Sequence, residues 1–90
     1  MYEIEYTENA REDISALHRD QPKAFNKVTQ LLLELMEHPK TGTGHPEPLK
    51  SGNSITWSRR IDKKHRLVYE IHEKQVLVLI LAAYGHYEDK

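Results

Sequence analysis

Ile55-Thr56-Trp57-Ser58-Arg59-Arg60-Ile61 is followed by Asp62-Lys63-Lys64 and then by His65-Arg66-Leu67-Val68-Tyr69-Glu70-Ile71-His72. Two runs rich in β-branched and aromatic residues flank a short polar break, which is the pattern of an antiparallel hairpin. A three-residue turn at Asp62, Lys63 and Lys64 sets Ile61 opposite His65, Arg60 opposite Arg66, Ser58 opposite Val68, Trp57 opposite Tyr69 and Ile55 opposite Ile71. Side chains alternate between the two faces of a strand. One face therefore collects Ile55, Trp57, Ile61, Leu67, Tyr69 and Ile71, with Arg59 as its odd member, and is expected to pack on helices. The other collects Thr56, Ser58, Arg60, Arg66, Val68, Glu70 and His72 and reads as open and polar. Arg60 and Arg66 repel each other across the pair unless something negative lies between them. A phosphate fits that role, because guanidinium groups stay charged and grip its oxygens with paired donors. An ion pair with Glu47 or Glu70 is the purely structural alternative.

Upstream, His45-Pro46-Glu47-Pro48 places a carboxylate between two prolines. Each proline fixes its own φ and pushes its predecessor toward extended backbone, so His45 and Glu47 are expected to be extended and Glu47 to sit on a stiff, short edge strand. Downstream, Val76 to Tyr84 is apolar on both faces, as a central strand is. A turn of three residues after His72 would direct its even-numbered positions, His86 included, to the arginine face, and a turn of two would direct them to the core.

The N-terminal part completes an α+β fold. Tyr2 to Tyr6 reads as a first strand, and Thr7 as the cap of a helix running to about His18 or Arg19 with Ala10, Ile14 and Leu17 on one face. Asp20 is expected to cap a second helix with Pro22 in its first turn, an apolar stripe of Phe25, Val28, Leu31, Leu32, Leu35 and Met36, and a stop at His38-Pro39. Strand and helical hairpin would pack on one face of a four- to five-stranded, mainly antiparallel sheet.

Ninety residues make one domain, 1–90. Without cysteine there is neither a disulfide framework nor a thiolate metal site, and the histidines lack zinc-ligand spacing, so no metal or other cofactor is expected. No apolar run reaches the roughly 20 residues that span a bilayer, and the first residues lack a secretory pattern, which points to the cytoplasm. The formal net charge of -1 conceals an asymmetry: residues 1 to 38 carry a balance of -4 and residues 39 to 90 one of +3. Between Lys50 and Arg66 six cations accompany one acid, Asp62. Such a stretch is either a solvated basic surface or a site for an anion.

Taken together, Gly42-Thr43-Gly44-His45-Pro46-Glu47-Pro48-Leu49-Lys50, Trp57-Ser58-Arg59-Arg60-Ile61, His65-Arg66-Leu67-Val68-Tyr69 and the closing His86-Tyr87 resemble the Txe/YoeB family. These are toxins of bacterial type II toxin-antitoxin pairs in the RelE/ParE superfamily. The resemblance covers nearly the whole chain and implies a RelE/ParE-like, microbial-RNase-like fold. It implies a ribosome-dependent endoribonuclease that cleaves messenger RNA in the ribosomal A site and is neutralised by a cognate antitoxin of YefM or Axe type. On that basis Glu47 is the general base and Arg66 and His86 are its catalytic partners. Arg60, Tyr87, Lys50 and Arg59 are RNA- or phosphate-contacting positions. The chain departs from the family at Tyr84-Gly85, where a basic residue is common two positions before the histidine.

The chemistry implied needs little beyond these groups. RNA carries its own nucleophile in the 2′-hydroxyl, so neither a metal nor a protein nucleophile is required. A base takes that proton, an acid protonates the leaving 5′-oxygen, and cations sit where charge accumulates. An imidazole suits the acid role at neutral pH, and the product would carry a 2′,3′-cyclic phosphate. Relatives often form homodimers, and exposed apolar or strand-edge surface would allow one here. The antitoxin is expected to fold on binding and to cover the arginine face or displace the tail. Two other classes compete: a non-catalytic toxin of the same fold directed at a target such as DNA gyrase, and a plain RNA-binding or repressor module.

Overall fold

Thr7 opens the first helix with its side chain: Oγ1 accepts the amide N–H of Ala10 at 3.0 Å and satisfies a donor that the helix itself leaves unpaired. The computed structural model describes residues 1–49 and 55–85. Its elements are β1 (Glu3–Tyr6), α1 (Glu8–Asp20), α2 (Pro22–Glu37), β2 (Glu47–Pro48), β3 (Thr56–Arg60), β4 (Arg66–His72) and β5 (Leu77–Ala82). Asp20 does not cap α2 as expected. The first helix runs on through Asp20, whose carboxylate turns to Arg19 at 3.2 Å, and Gln21 joins the two helices with no side-chain cap. Pro22 still opens α2, where a missing amide has no partner to lose.

The sheet has the order β1-β5-β4-β3-β2, with β1 parallel to β5 and every other pair antiparallel. A parallel pair needs a long crossover, and the helical hairpin lies within it. The hairpin's apolar side chains, among them Leu17, Val28, Leu31 and Leu35, pack against Leu67, Tyr69, Ile71, Val78 and Ile80 of the sheet. Burial of these side chains is what holds so short a chain together. The fold is therefore α+β with both helices on one face, as the sequence predicts. No helix among the described residues is long and apolar enough to cross a membrane.

The β3–β4 register matches the hairpin pattern at every paired position, including Arg60 opposite Arg66 and Trp57 opposite Tyr69. The following turn does not have either expected length. It spans the four residues between His72 and Leu77, which pair with each other, and places Val78 and Ile80 on the core face. Val76 adopts φ 51 there, an uncommon conformation for a β-branched residue, while its carbonyl accepts the Glu3 amide. Farther on, β5 carries an extra residue, since Tyr69 pairs with Ile80 but Val68 with Ala82. This bulge reverses the alternation and brings Ala82 to the arginine face. The Leu81 carbonyl within it is taken by the Thr7 hydroxyl at 3.2 Å and the Asn9 amide at 3.1 Å, so the start of α1 stabilises the kink.

Candidate active site

Glu47 reaches the sheet through a sharply turned approach. The Gly44 carbonyl accepts the Arg60 amide at 2.7 Å, which pins the loop to the end of β3. Gly44 has φ +87, and a Cβ there would lie 2.8 Å from the Arg60 backbone oxygen, so this position requires glycine. His45 then takes φ 52 instead of the extended backbone expected before a proline. The chain must turn from the Gly44 anchor onto the sheet edge within a residue or two, and histidine tolerates positive φ better than most side chains. Glu47 itself is extended as expected. It pairs with Ser58 in edge strand β2, and Pro48, which has no amide to offer a ladder, is tolerated at that edge.

Arg66 enters from β4, on the far side of β3. Its Nη1 lies 3.7 Å from Glu47 Oε1, with the arginine side chain 25% and the carboxylate 58% exposed. Arg60 stands opposite Arg66, exposed, and makes no ion pair with any described residue. The structural alternative is thus realised for Arg66 and not for Arg60. The face is less open than its residues suggest: Thr56, Ser58 and Val68 are buried, and Val68 does so outside the main apolar cluster. These small side chains form a floor between the taller Glu47, Arg66, Glu70 and His72. Glu70 and His72 pair with each other at 2.9 Å, and Glu70 makes no ion pair with either arginine among the described residues.

Arg59 is not an RNA- or phosphate-contacting residue. Strand alternation turns it into the core, where it has no exposed surface and all its donors are used. Nε donates to the Tyr69 hydroxyl at 3.1 Å and Nη1 to Glu34 Oε1 at 2.9 Å and the Thr43 carbonyl at 3.3 Å, while Nη2 donates to the carbonyls of His38 and Thr41. Tyr69 in turn donates to the Pro39 carbonyl at 2.9 Å. The guanidinium thereby gathers residues 38–43, the segment that leads from α2 to Gly44 and Glu47. Glu34 also accepts the Thr43 amide at 2.8 Å and hydroxyl at 2.7 Å. Those bonds and the Arg59 charge outweigh burial and hold its carboxyl below the usual range. Burial pushes the Tyr69 hydroxyl up, with Arg59 opposing it.

Residues 6–87 match the model of the YoeB-like toxin of bacterial type II toxin-antitoxin systems. The chain belongs to this family. Toxin YoeB of Streptomyces coelicolor is 39% identical over 84 residues, covering 93% of this chain and 98% of that one. The YoeB dimer from Staphylococcus aureus superposes with a TM-score of 0.85 at 31% identity, covering 96% of this chain and 98% of that one. The toxin in the YoeB-YefM complex from Staphylococcus aureus superposes with a TM-score of 0.81 at 31% identity, covering 97% and 99%.

Three of the family-matched positions, Lys50, His86 and Tyr87, lie outside the described residues. Of the positions expected to form the site, Glu47, Arg60 and Arg66 are the ones that the described residues bring together on one face of the sheet. The described chain ends at Gly85, whose carbonyl accepts the Arg66 amide at 3.0 Å and whose amide donates to His65 Nδ1 at 2.7 Å. That bond makes Nδ1 the acceptor, so the neutral His65 ring carries its proton on Nε2, which is buried and meets no hydrogen-bond partner among the described residues. Its ring rests against Tyr84 at 4.7 Å between centroids. Tyr84 thus packs on His65, at the end of the β3–β4 turn.

Beside Arg60 a cleft of about 540 Å³ opens, lined also by Lys27, His45 and Lys63. Sequence reading missed these three. His45 is adjacent to the motif and could have been found there, but Lys27 comes from α2, which only tertiary packing brings near.

Proposed function

We propose that this protein is a ribosome-dependent endoribonuclease that stops translation by cutting messenger RNA in the ribosomal A site. The observation that carries the reading is the Glu47 carboxylate held 3.7 Å from Arg66 beside Arg60, which makes no ion pair among the described residues. Glu47 takes the proton of the 2′-hydroxyl, and the oxygen attacks the adjacent phosphorus. Arg66 and Arg60 stabilise the charge that builds on the phosphate oxygens. His86, which follows Gly85 in sequence, protonates the departing 5′-oxygen, and Tyr87 stacks on or orients a base. The products are a 2′,3′-cyclic phosphate and a 5′-hydroxyl, and no metal or cofactor takes part.

Family membership supports a cognate antitoxin of YefM type, acting in the bacterial cytoplasm, and the Staphylococcus aureus proteins support both an antitoxin complex and a homodimer for this chain. Lys50 contributes a further cation to the RNA. A toxin acting by binding alone would gain nothing from a carboxylate set against the arginine pair.

The test is incubation of the purified chain with programmed ribosomes and mapping of the RNA ends. Cleavage within the A-site codon that disappears in Glu47→Gln, Arg66→Ala and His86→Ala supports the reading. Full-rate cutting by all three folded variants overturns it.

A further inference from the structure

We propose that the cleft between α2, the Gly44–His45 bend and the β3–β4 turn is a second phosphate subsite, which holds the backbone phosphate next to the scissile one in the bound RNA strand. The proposal rests on the nuclease reading for the identity of its ligand. It extends the site beyond Glu47, Arg60 and Arg66 to Lys27, His45 and Lys63.

The cleft's volume of about 540 Å³ lies within the roughly 300–1,000 Å³ range of small-ligand pockets. Lys27, Arg60, Lys63 and Arg66 bring four permanent cations to its wall, and His45 adds an imidazole. Asp62 is the sole carboxylate among the described residues that line it, and its Oδ1 is already occupied by the amides of Lys64 and His65, both at 2.8 Å. Neither Lys27 nor Arg60 makes an ion pair among the described residues. Cations gathered from three separate elements around a concavity repel one another, a cost that an anion between them removes.

The wall itself is unusual. His45 holds φ 52 at the rim, and a non-glycine residue in that region persists where the surroundings enforce it, often at ligand sites. Because Arg66 lines the cleft and also touches Glu47, the cleft is continuous with the reacting centre. An RNA strand with its scissile phosphate at Arg66 therefore leads its neighbouring phosphate past Arg60 toward Lys27 and Lys63. Such contacts carry no base information; they set the register of the strand on the catalytic groups.

The test uses the full-length chain and a short RNA with a 2′-O-methyl group at the reacting ribose, which cannot be cleaved. A second RNA also carries a neutral methylphosphonate at the adjacent linkage. Binding is followed by calorimetry and by amide chemical shifts of Gly44, Arg60 and Lys27. In the wild type the neutral linkage is expected to weaken binding about fivefold, the upper end for an exposed ion pair. Lys27→Ala should weaken binding of the charged RNA and be less sensitive than the wild type to the neutral linkage, while Lys74→Ala, at the other end of the sheet, behaves as wild type. Independent, additive losses overturn the proposal, as does absence of RNA binding or a Lys27→Ala defect confined to antitoxin binding. Coupled binding without ribosomal cleavage would leave the subsite standing and refute the nuclease reading. Cleavage without coupling would do the reverse.

Discussion

Glu47 on β2 and Arg66 on β4 meet across the intervening strand β3, carboxylate oxygen to guanidinium nitrogen at 3.7 Å. Strands next but one to each other are roughly 9–10 Å apart, a gap that long side chains can bridge above a small residue. Ser58, which pairs with both Glu47 and Val68, supplies that low point. The contact is half exposed on the carboxylate side, so its value to stability is small, about 0–1 kcal/mol.

Glu47→Gln and Arg66→Ala should accordingly separate activity from folding. Each is expected to lower ribosomal cleavage by roughly 10²-fold or more, the scale of general acid–base and charge stabilisation effects. Thermal melting should stay close to that of the wild type. Equal loss of both properties would mean that the pair is structural.

Arg59 should behave in the opposite way. Arg59→Ala leaves Glu34 charged with its buried partner gone and strands three backbone carbonyls, a change expected to cost about 3–5 kcal/mol. Arg59→Lys should recover little, because an ammonium cannot reproduce the planar fork that serves Tyr69, Glu34 and the 38–43 segment. Urea unfolding of the two variants measures both effects.

The Glu34 carboxyl makes stability depend on acidity. Its folded-state pKa lies below the ordinary value, with the Thr43 hydroxyl bond as the first favourable cause, burial opposing, and Arg59 adding to the lowering. A depressed carboxylate contributes stability that is present above the unfolded-state pKa and is lost as pH falls through the folded one. Stability should therefore decline below the ordinary glutamate range, and Glu34→Gln should flatten that acid limb while lowering the neutral plateau. Denaturation midpoints measured between acid and neutral pH would show the change of slope.

Gly44→Ala should damage the site through the backbone. The new Cβ meets the Arg60 carbonyl at 2.8 Å, and φ +87 disfavours any side chain. Relief of that clash requires the loop to leave Arg60, which shifts Glu47 from Arg66. Expected are a stability loss of about 1–3 kcal/mol and a cleavage loss larger than that destabilisation explains, read from activity assayed well below the melting temperature.

Much of this was legible in the sequence for local reasons. The hairpin register from Thr56 to Glu70 followed from alternation and one turn length. Thr7 announced its helix, and the prolines around Glu47 announced an edge strand. Where reading failed, non-local demands prevailed. Alternation set Arg59 on the packing face, but the resemblance made it an RNA contact; it is buried instead, and only the convergence of Glu34, Tyr69 and residues 38–43 makes a buried guanidinium tolerable. His45 left the extended backbone expected of it because Gly44 is tied to Arg60.

The sequence by itself determined the α+β class, the pairing of Arg60 with Arg66 and the place of Glu47, since these rest on alternation, prolines and turn chemistry within a few residues. Tertiary structure decided what spans the chain. It set the four-residue turn and the β5 bulge, which depends on Thr7 and Asn9 reaching Leu81. It also brought Lys27 from a distant helix to the cleft beside Arg60. Contacts between residues far apart in the chain follow from packing, and local pattern carries no record of them.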